Sequence, residues 1–303
     1  MAIGKKFFKK SPLSLAAKLH KEAADMPYLL LQAHHIANTL ITGRHNWQKC
    51  GNGENFWQFR PYTEGESLTR IDWRRSARDE NIYLREHEWE MTQTVWLWPD
   101  QSASMHYCSR FSKISKGNQA IILTLALATL LARSGERIAI PHLMPPSTAS
   151  NITERIALAL TNYQAENSFP DFSAITCFSQ VIIISDFLDH PEKIMQHLTT
   201  LAAKQVTVHL IEVADPAEEH FPYTGCTEFF DPETQEKLVL GQVENLRDQY
   251  CKLYQERRQK LKNFCSRQGW IYYVSITDRP LTEIILQLAN KMGTFSFHTG
   301  RPF

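Results

Sequence analysis

The spacing of hydrophobic residues divides the chain into a helical start, an irregular stretch and a long region of mixed helices and strands. Apolar residues recur every three or four positions over residues 14–41, which predicts a helix that Pro27 should break or kink. Aromatic and charged residues alternate over residues 56–91, which indicates short strands and turns. Apolar strands and amphipathic helices then alternate to the end of the chain.

This alternation predicts a doubly wound α/β fold. The predicted strands cover residues 93–98, 137–140, 180–185, 206–213 and 270–274, and the predicted helices cover residues 116–134, 151–163, 190–203, 243–266 and 281–292. Strands that alternate with helices form a mostly parallel sheet with helices on both faces. We therefore expect an α/β domain over residues 92–303. Residues 1–91 would supply the N-terminal helix and a small segment, rich in arginine, aromatics and β-structure, docked on the sheet.

Composition adds few constraints on the partner. The chain has 303 residues, 43% of them hydrophobic, which is enough for a real core. The formal net charge of +1 gives no overall attraction to nucleic acid or to an anionic membrane. Six lysines, at positions 5, 6, 9, 10, 18 and 21, precede the first acid, Glu22. This basic start is either a solvated terminus or a weak contact with acidic lipid or an acidic partner.

The six cysteines point to a cytoplasmic protein with reduced thiols. They form no C-x-x-C pair and show no zinc-finger spacing. The basic start is not followed by the apolar region of a signal peptide. The longest apolar run, residues 120–132, is too short to span a bilayer and predicts a buried helix.

Two predicted strands end in polar residues that suit a metal ion. Asp100-Gln101-Ser102-Ala103-Ser104 follows one apolar strand, and Asp186 follows another. Carboxylates and hydroxyls are hard oxygen ligands, and parallel strands end at one edge of a sheet. Asp100, Ser102, Ser104 and Asp186 are therefore predicted to bind Mg²⁺, with Mn²⁺ or Ca²⁺ as alternatives.

That predicted site would leave a coordination position for the acidic side chain of a protein partner. Thr148 and Thr153 are the candidates for a fifth protein ligand. The alternative interpretation of the loop is structural, since Asp and Ser are common at strand-to-helix turns, where they cap the next helix.

Arginines, aromatics and acids are dense over residues 60–78. Arginine with aromatics can indicate nucleic-acid binding, but interleaved acids favour Arg–carboxylate pairs and Arg-on-Trp stacking. An internal network that docks this segment on the sheet is favoured over a partner-docking surface, and nucleic acid comes last. The residues assigned to this network or surface are Arg60, Tyr62, Arg70, Asp72, Trp73 and Arg78.

The order of these motifs resembles the domain-of-unknown-function family 58. The resemblance rests on Gly51-x-Gly53-x-x-Phe56, Arg60-x-Tyr62-x-x-Gly65-Glu66, Arg70-Ile71-Asp72-Trp73, Ser76-Ala77-Arg78, Asp100-x-Ser102-x-Ser104-Met105 and Asp215-Pro216-x-Glu218. It extends from about Gly51 to Asp231. The family usually has Gly-Asp where this chain has Gly65-Glu66, a change that keeps the charge.

The resemblance implies a von Willebrand factor A-like domain whose metal-ion-dependent adhesion site matches Asp100, Ser102 and Ser104. It also implies association with MoxR-type AAA+ ATPases, which are tied to the assembly or maturation of other complexes. Many relatives carry two N-terminal transmembrane helices, and we expect none in this sequence.

Two functions therefore compete. The first is a non-enzymatic, metal-dependent protein-interaction module that acts beside an ATPase. The second is a phosphotransferase of the haloacid dehalogenase type with Asp100 as nucleophile and Asp186 as magnesium ligand. That chemistry usually needs a second Asp two residues after the first, where this chain has Ser102. A dinucleotide-binding oxidoreductase is disfavoured because no Gly-x-Gly-x-x-Gly joins a strand to a helix.

Overall fold

The computed structural model describes residues 15–42, 56–63, 71–78, 81–87, 93–163, 169–232 and 236–292. Contacts divide the chain into two units. The α/β unit comprises Met1–Trp47 and Gln93–Phe303, and the small β unit comprises Gln48–Thr92. In this division the N-terminal helix groups with the α/β unit, and the predicted domain boundary between residues 91 and 92 stays a prediction.

The described elements are as follows in chain order. The helices are α1 (Leu15–Thr42), α2 (Trp73–Ser76), α3 (Lys116–Arg133), α4 (Ile152–Asn162), α5 (Pro191–Ala202), α6 (Pro216–His220), α7 (Arg247–Arg267) and α8 (Leu281–Met292). The strands are β1 (Phe56–Pro61), β2 (Tyr83–His87), β3 (Thr94–Pro99), β4 (Arg137–Ile140), β5 (Met144–Ser147), β6 (Gln180–Ser185), β7 (Thr207–Ala214), β8 (Thr227–Phe230), β9 (Lys237–Leu240) and β10 (Ile271–Ile276). Short 3-10 helices cover Ala103–His106 and Val243–Leu246.

Six of the described strands form one mostly parallel sheet, in the order β10-β7-β6-β3-β4-β5. Only β5 pairs antiparallel, with β4 at the edge of the sheet. The chain begins in the middle of the sheet at β3, moves outward to β5, and returns to β6 on the other side. This reversal of direction is the strand order of doubly wound α/β folds. The predicted α/β class with a mostly parallel sheet is confirmed.

Helices cover both faces of the sheet. Gln119 of α3 donates a hydrogen bond to Ser275 of β10, at 2.9 Å. Tyr272, three residues earlier on the same strand, donates to Glu212, which also binds Arg258 of α7. Because side chains alternate along a strand, Ser275 and Tyr272 face opposite sides. Helices α3 and α7 therefore lie on opposite faces, and the central strands between them are buried. Every residue of β6 is buried, which is the pattern of a strand covered on both faces.

Helix α1 runs through Pro27 without a break, so of the predicted break or kink only the kink stays a prediction. A proline removes one backbone hydrogen bond from a helix, but tertiary packing can outweigh this loss. The buried positions follow helical spacing on both sides of the proline, at Met26, Leu29, Ala33, Ala37 and Leu40. This apolar stripe belongs to the core of the α/β unit.

Two β-structures were missed. Strand β5, which contains Pro145 and Pro146, was not among the predicted strands. Proline cannot donate to a ladder, and it is tolerated here because β5 lies at the sheet edge. Strands β8 and β9 pair antiparallel as a two-stranded ribbon within the stretch between β7 and α7.

The small β unit is built on the antiparallel pair β1 and β2, as the mixed pattern of residues 56–91 predicted. Asp72 caps helix α2 by accepting from the Arg75 N–H at 3.0 Å. Ser76 ties α2 to β2, because its hydroxyl accepts from the Tyr83 N–H at 2.9 Å. The Arg75 guanidinium lies 5.6 Å from the centre of the Tyr83 ring. Hydrogen bonds and an arginine–aromatic contact thus connect the described parts of this unit.

No helix in the described ranges is both long and apolar enough to cross a membrane. Five of the six cysteines lie in those ranges, and all five are free thiols.

Candidate functional site

The sheet brings the two predicted acidic strand ends together. Strands β3 and β6 are parallel neighbours, with Pro99 beside Ile184. The Asp100 N–H continues this pairing by donating to the Ile184 carbonyl at 2.8 Å. Asp100 and Asp186 therefore both leave the carboxyl edge of the sheet where the strand order reverses. Doubly wound folds bind ligands at this position. We call Asp100, Ser102, Ser104 and Asp186 the carboxyl-edge site.

Asp100 is a fully buried acid. Its Oδ1 accepts from the Ser102 N–H at 2.8 Å, and its Oδ2 accepts from the Ser185 hydroxyl at 2.6 Å. Burial, together with the nearby negative charge of Asp186, raises the pKa of Asp100 to about 6, although these two hydrogen bonds act in the opposite direction. No lysine, arginine or histidine of the described ranges forms an ion pair with it. Asp100 is thus a buried acid without a cationic partner in the part of the chain described.

Ser102 and Ser104 place two hydroxyls side by side. Their Oγ atoms lie 3.2 Å apart and share a hydrogen bond. Ser102 precedes the 3-10 helix Ala103–His106, but its side chain makes no capping hydrogen bond to that helix. The alternative interpretation was that these side chains only bind backbone N–H groups of the turn. It applies to Asp100, which accepts from the Ser102 N–H, but not to the Ser102 hydroxyl.

Asp186 is held by a buried lysine. The Lys116 ammonium lies 2.8 Å from Asp186 Oδ2 and 2.6 Å from Glu218 Oε1. The other oxygen of Asp186, Oδ1, accepts from the Leu188 N–H at 3.2 Å. Burial alone would lower the pKa of Lys116, but the two carboxylates outweigh it and the pKa is raised. Lys116 is therefore a fixed positive charge inside the protein. We call Lys116, Asp186 and Glu218 the Lys116 bridge.

The Asp215-Pro216-x-Glu218 motif supplies one end of this bridge. Asp215 and Glu218 form a reciprocal capping box at the start of α6. Asp215 Oδ2 also accepts from the Ser109 N–H at 3.0 Å, which anchors the loop after Ser104. One Glu218 oxygen binds the Asp215 N–H and the other binds Lys116. The motif thus connects the loop after β3, helix α3 and the end of β7.

The backbone after β6 is held in a strained conformation. Phe187 has a φ of 49°, which a bulky side chain rarely adopts. The Phe187 ring is buried, and its carbonyl accepts from the Arg257 guanidinium at 2.8 Å. Its N–H donates to Ser185 Oγ at 3.2 Å. These contacts hold the segment that carries Asp186.

Arg257 belongs to a second buried charge group, which lies under helix α7. Glu212 on β7 is fully buried and accepts hydrogen bonds from Arg257, Arg258, Tyr254 and Tyr272. Arg258 contacts both Glu212 oxygens, at 2.8 and 3.1 Å. We call these five residues the Glu212 cluster.

The donor set of the carboxyl-edge site fits a hard divalent cation in part. Two oxygens that bind one Mg²⁺ at right angles are separated by roughly 2.9 Å, and two that bind Ca²⁺ by roughly 3.4 Å. The 3.2 Å between the Ser102 and Ser104 hydroxyls falls within this range. Asp100 offers a buried negative charge without a cationic partner in the described ranges, whereas Asp186 is shared with Lys116. No group of three or more His, Cys, Asp or Glu side chains gathers as a metal cluster in those ranges. Any metal here would depend on hydroxyls.

The fifth-ligand candidates are not brought to this group. The Thr153 hydroxyl lies 3.2 Å from the Thr129 hydroxyl, between helices α4 and α3. Thr148 is exposed in the loop between β5 and α4.

The structure describes only part of the predicted Arg–aromatic network. Asp72 caps α2, while Trp73 and Arg78 are exposed. Arg70 and the side chain of Arg60 lie outside the described residues, and the Tyr62 N–H donates to the Ile82 carbonyl at 2.8 Å. The docking of this segment on the sheet stays a prediction.

Sequence reasoning missed Lys116 and Ser185 and gave no role to Glu218. One signal for Lys116 was available. A lysine as the first residue of a helix faces the positive end of the helix dipole, so a nearby acid is expected to compensate it. A signal for Ser185 was its hydroxyl at the end of the apolar run of residues 181–184.

Comparisons with known proteins add a family. The family described as "Protein of unknown function DUF58" matches residues 58–260. Among solved structures, the conserved hypothetical protein BatB from Bacteroides thetaiotaomicron is 15% identical, with a TM-score of 0.39 over 66% of this chain and 98% of that chain. An aerotolerance-related membrane protein from Bacteroides fragilis is 14% identical, with a TM-score of 0.38 over 66% of this chain and 100% of that chain. No curated protein matches the chain.

Proposed function

We propose a function for this chain, which belongs to the DUF58 family of unknown function. It is a non-enzymatic protein-interaction module that depends on a divalent metal. Its carboxyl-edge site would be of the von Willebrand factor A type. Asp100, Ser102 and Ser104 would hold Mg²⁺, or Mn²⁺ or Ca²⁺ in its place. The bound cation would supply a positive charge that attracts an acidic side chain of the partner.

One observation carries the proposal most directly. A buried acid without a described cationic partner lies two residues before a pair of hydroxyls at chelating distance, at the switch point of the sheet. Burial disfavours the charged form of Asp100, and a bound cation would stabilise that form. Ser102 also stands where haloacid dehalogenase chemistry needs an acid, so we propose no catalytic role for Asp100.

The partner we propose is a MoxR-type AAA+ ATPase, with the module serving the assembly or maturation of another complex. The support for this partner is the family resemblance, together with a site that suits an acidic side chain. Ser104 is partly exposed, and Gln101 and His106 flank the loop at the surface. A metal bound to the Ser104 hydroxyl would therefore be accessible to the partner's acidic side chain from the edge of the sheet.

Affinity capture with the full chain tests the metal and the partner together. We expect an AAA+ ATPase among the proteins recovered in Mg²⁺, with a loss of at least about tenfold in EDTA because a bridging ion is removed. A chain with Ser102→Ala and Ser104→Ala should lose the same protein in Mg²⁺. Mass spectrometry of the recovered proteins gives the measurement.

The matched control for capture is Ser173→Ala. The Ser173 hydroxyl binds its neighbour Asp171 in an exposed loop before β6, and neither residue belongs to the carboxyl-edge site. This variant should recover the same partners as the unaltered chain. If neither an ATPase nor any Mg²⁺-sensitive binder is recovered with the unaltered chain, the proposal fails. An ATPase recovered equally in EDTA would refute the metal dependence alone.

A further inference from the structure

Lys116 is the buried charge at this edge that the proposed function does not use. Its side chain has no solvent exposure, so its ammonium cannot contact a partner directly. Its Nζ lies between Asp186 and Glu218, and 5.7 Å from the centre of the Tyr107 ring. A buried lysine is costly, and its position at the start of α3 also opposes the helix dipole. Burial in such a place calls for a role beyond packing.

We propose that Lys116 sets the affinity of the carboxyl-edge site for divalent cations by occupying Asp186. This inference deepens the proposed function, since it concerns the same cation. Asp186 has one oxygen on the Lys116 ammonium and the other on the Leu188 N–H. The ammonium holds Asp186 in an ion pair and repels a second cation, so the metal meets one carboxylate without a cationic partner in the described ranges, Asp100, where the sequence suggested two. Fewer charged ligands give weaker binding.

A consequence of this arrangement concerns the charge that the direct ligands leave on a bound cation. A divalent ion on Asp100 and two neutral hydroxyls keeps a charge of about +1. With Asp186 as an additional ligand, that charge would be cancelled. The Lys116 bridge holds two carboxylates against one ammonium, so its negative charge stays beside the ion and not among its ligands.

The decisive variant removes the ammonium without leaving two unpaired acids. Lys116→Met combined with Glu218→Gln deletes one charge of each sign and frees Asp186. We expect this double variant to bind Mg²⁺ about tenfold more tightly than the unaltered chain, because a second carboxylate becomes available. Adding Asp186→Asn should abolish the gain. Isothermal calorimetry with MgCl₂ on each full-length chain measures the affinities.

Lys204 provides the matched control. Its ammonium donates to the carbonyls of Phe172, Ser173 and Ile175, at 2.8, 2.9 and 3.0 Å, without a carboxylate partner among them. It precedes β7, at the opposite edge of the sheet from Asp186. Lys204→Met also removes a cation, and we expect no change in Mg²⁺ affinity.

The outcomes separate this inference from the proposed function. Unchanged affinity in the double variant, or a gain that survives Asp186→Asn, overturns the role of Lys116 even if the unaltered chain binds Mg²⁺. Binding that occurs only in the double variant, and through Asp186, supports the role of Lys116 and refutes metal dependence in the natural chain. If the double variant does not fold by circular dichroism, Asp186→Asn alone decides. The inference predicts a change below about threefold for that variant, and a loss of about tenfold contradicts it.

Discussion

Replacing Glu212 with alanine should destabilise the α/β unit by about 3–5 kcal/mol, because it leaves buried arginine charges without their acid. Glu212 has no solvent exposure, and the Arg257 side chain is only 11% exposed. The same substitution removes the acceptor for Tyr254 and Tyr272, which join α7 and β10 to β7. Urea unfolding followed by circular dichroism gives the free energy of unfolding.

The matched control is Glu228→Ala on the β8–β9 ribbon. Glu228 forms an ion pair with Lys237 at 3.1 Å, but both side chains are more than half exposed. Solvent-exposed pairs contribute little, so we expect a loss below about 1 kcal/mol. A loss of that small size for Glu212→Ala would mean that the Glu212 cluster does not hold α7 on the sheet.

The second large effect is a pair of opposed pH dependences in metal-free buffer. Asp100 has its pKa raised from 3.8 to about 6, so the folded state binds more protons than the unfolded state between these values. Its contribution to stability therefore falls as the pH rises from about 4 to 6, by about 3 kcal/mol. His209 behaves in the opposite way. Burial lowers its pKa from 6.5 to about 4, so stability is lost as the pH falls from 6.5 to 4, also by about 3 kcal/mol.

Each substitution should reveal the contribution of the other residue. The His209 ring has no hydrogen-bond partner within the described residues and stacks on Tyr273, so His209→Met removes its titration with a similar volume. As the pH rises from 4 to 6, the free energy of unfolding of that variant should fall relative to that of the unaltered chain. For Asp100→Asn, the free energy of unfolding should instead rise relative to that of the unaltered chain as the pH rises over the same interval. Urea unfolding in EDTA at several pH values measures both, and three parallel curves would show that neither residue titrates as described.

The sequence was sufficient for the parts of the fold that depend on periodicity. Strands Arg137–Ile140 and Gln180–Ser185 and helix Leu281–Met292 have the bounds predicted from their apolar patterns. Prediction failed where tertiary context overrides a local signal. Pro27 lies inside a helix because the buried stripe of α1 is packed into the core, and Pro145 and Pro146 lie in a strand because it is at the edge.

The positions of Asp100 and Asp186 at one edge of the sheet could be predicted from the sequence, but the ion pair of Asp186 with Lys116 could not. Acids at the ends of two parallel strands predicted that Asp100 and Asp186 share an edge, and their elements bring them there. The difference between the two acids, of which only Asp186 has a described cationic partner, could not be predicted. It depends on Lys116, which is 70 residues from Asp186 in the chain. Long-range contacts of this kind leave no periodic signal.

Calorimetric titration of Mg²⁺ into the unaltered chain and into Asp100→Asn tests the central claim most directly. Asn keeps the volume of Asp100 and one acceptor oxygen for the Ser102 N–H, but it puts an NH₂ donor towards the Ser185 hydroxyl and removes the negative charge of Asp100. We predict binding of one Mg²⁺ to the unaltered chain and a loss of affinity of about tenfold or more in the variant. Equal binding by the two chains, or none by the unaltered chain, would contradict a metal held by Asp100, Ser102 and Ser104.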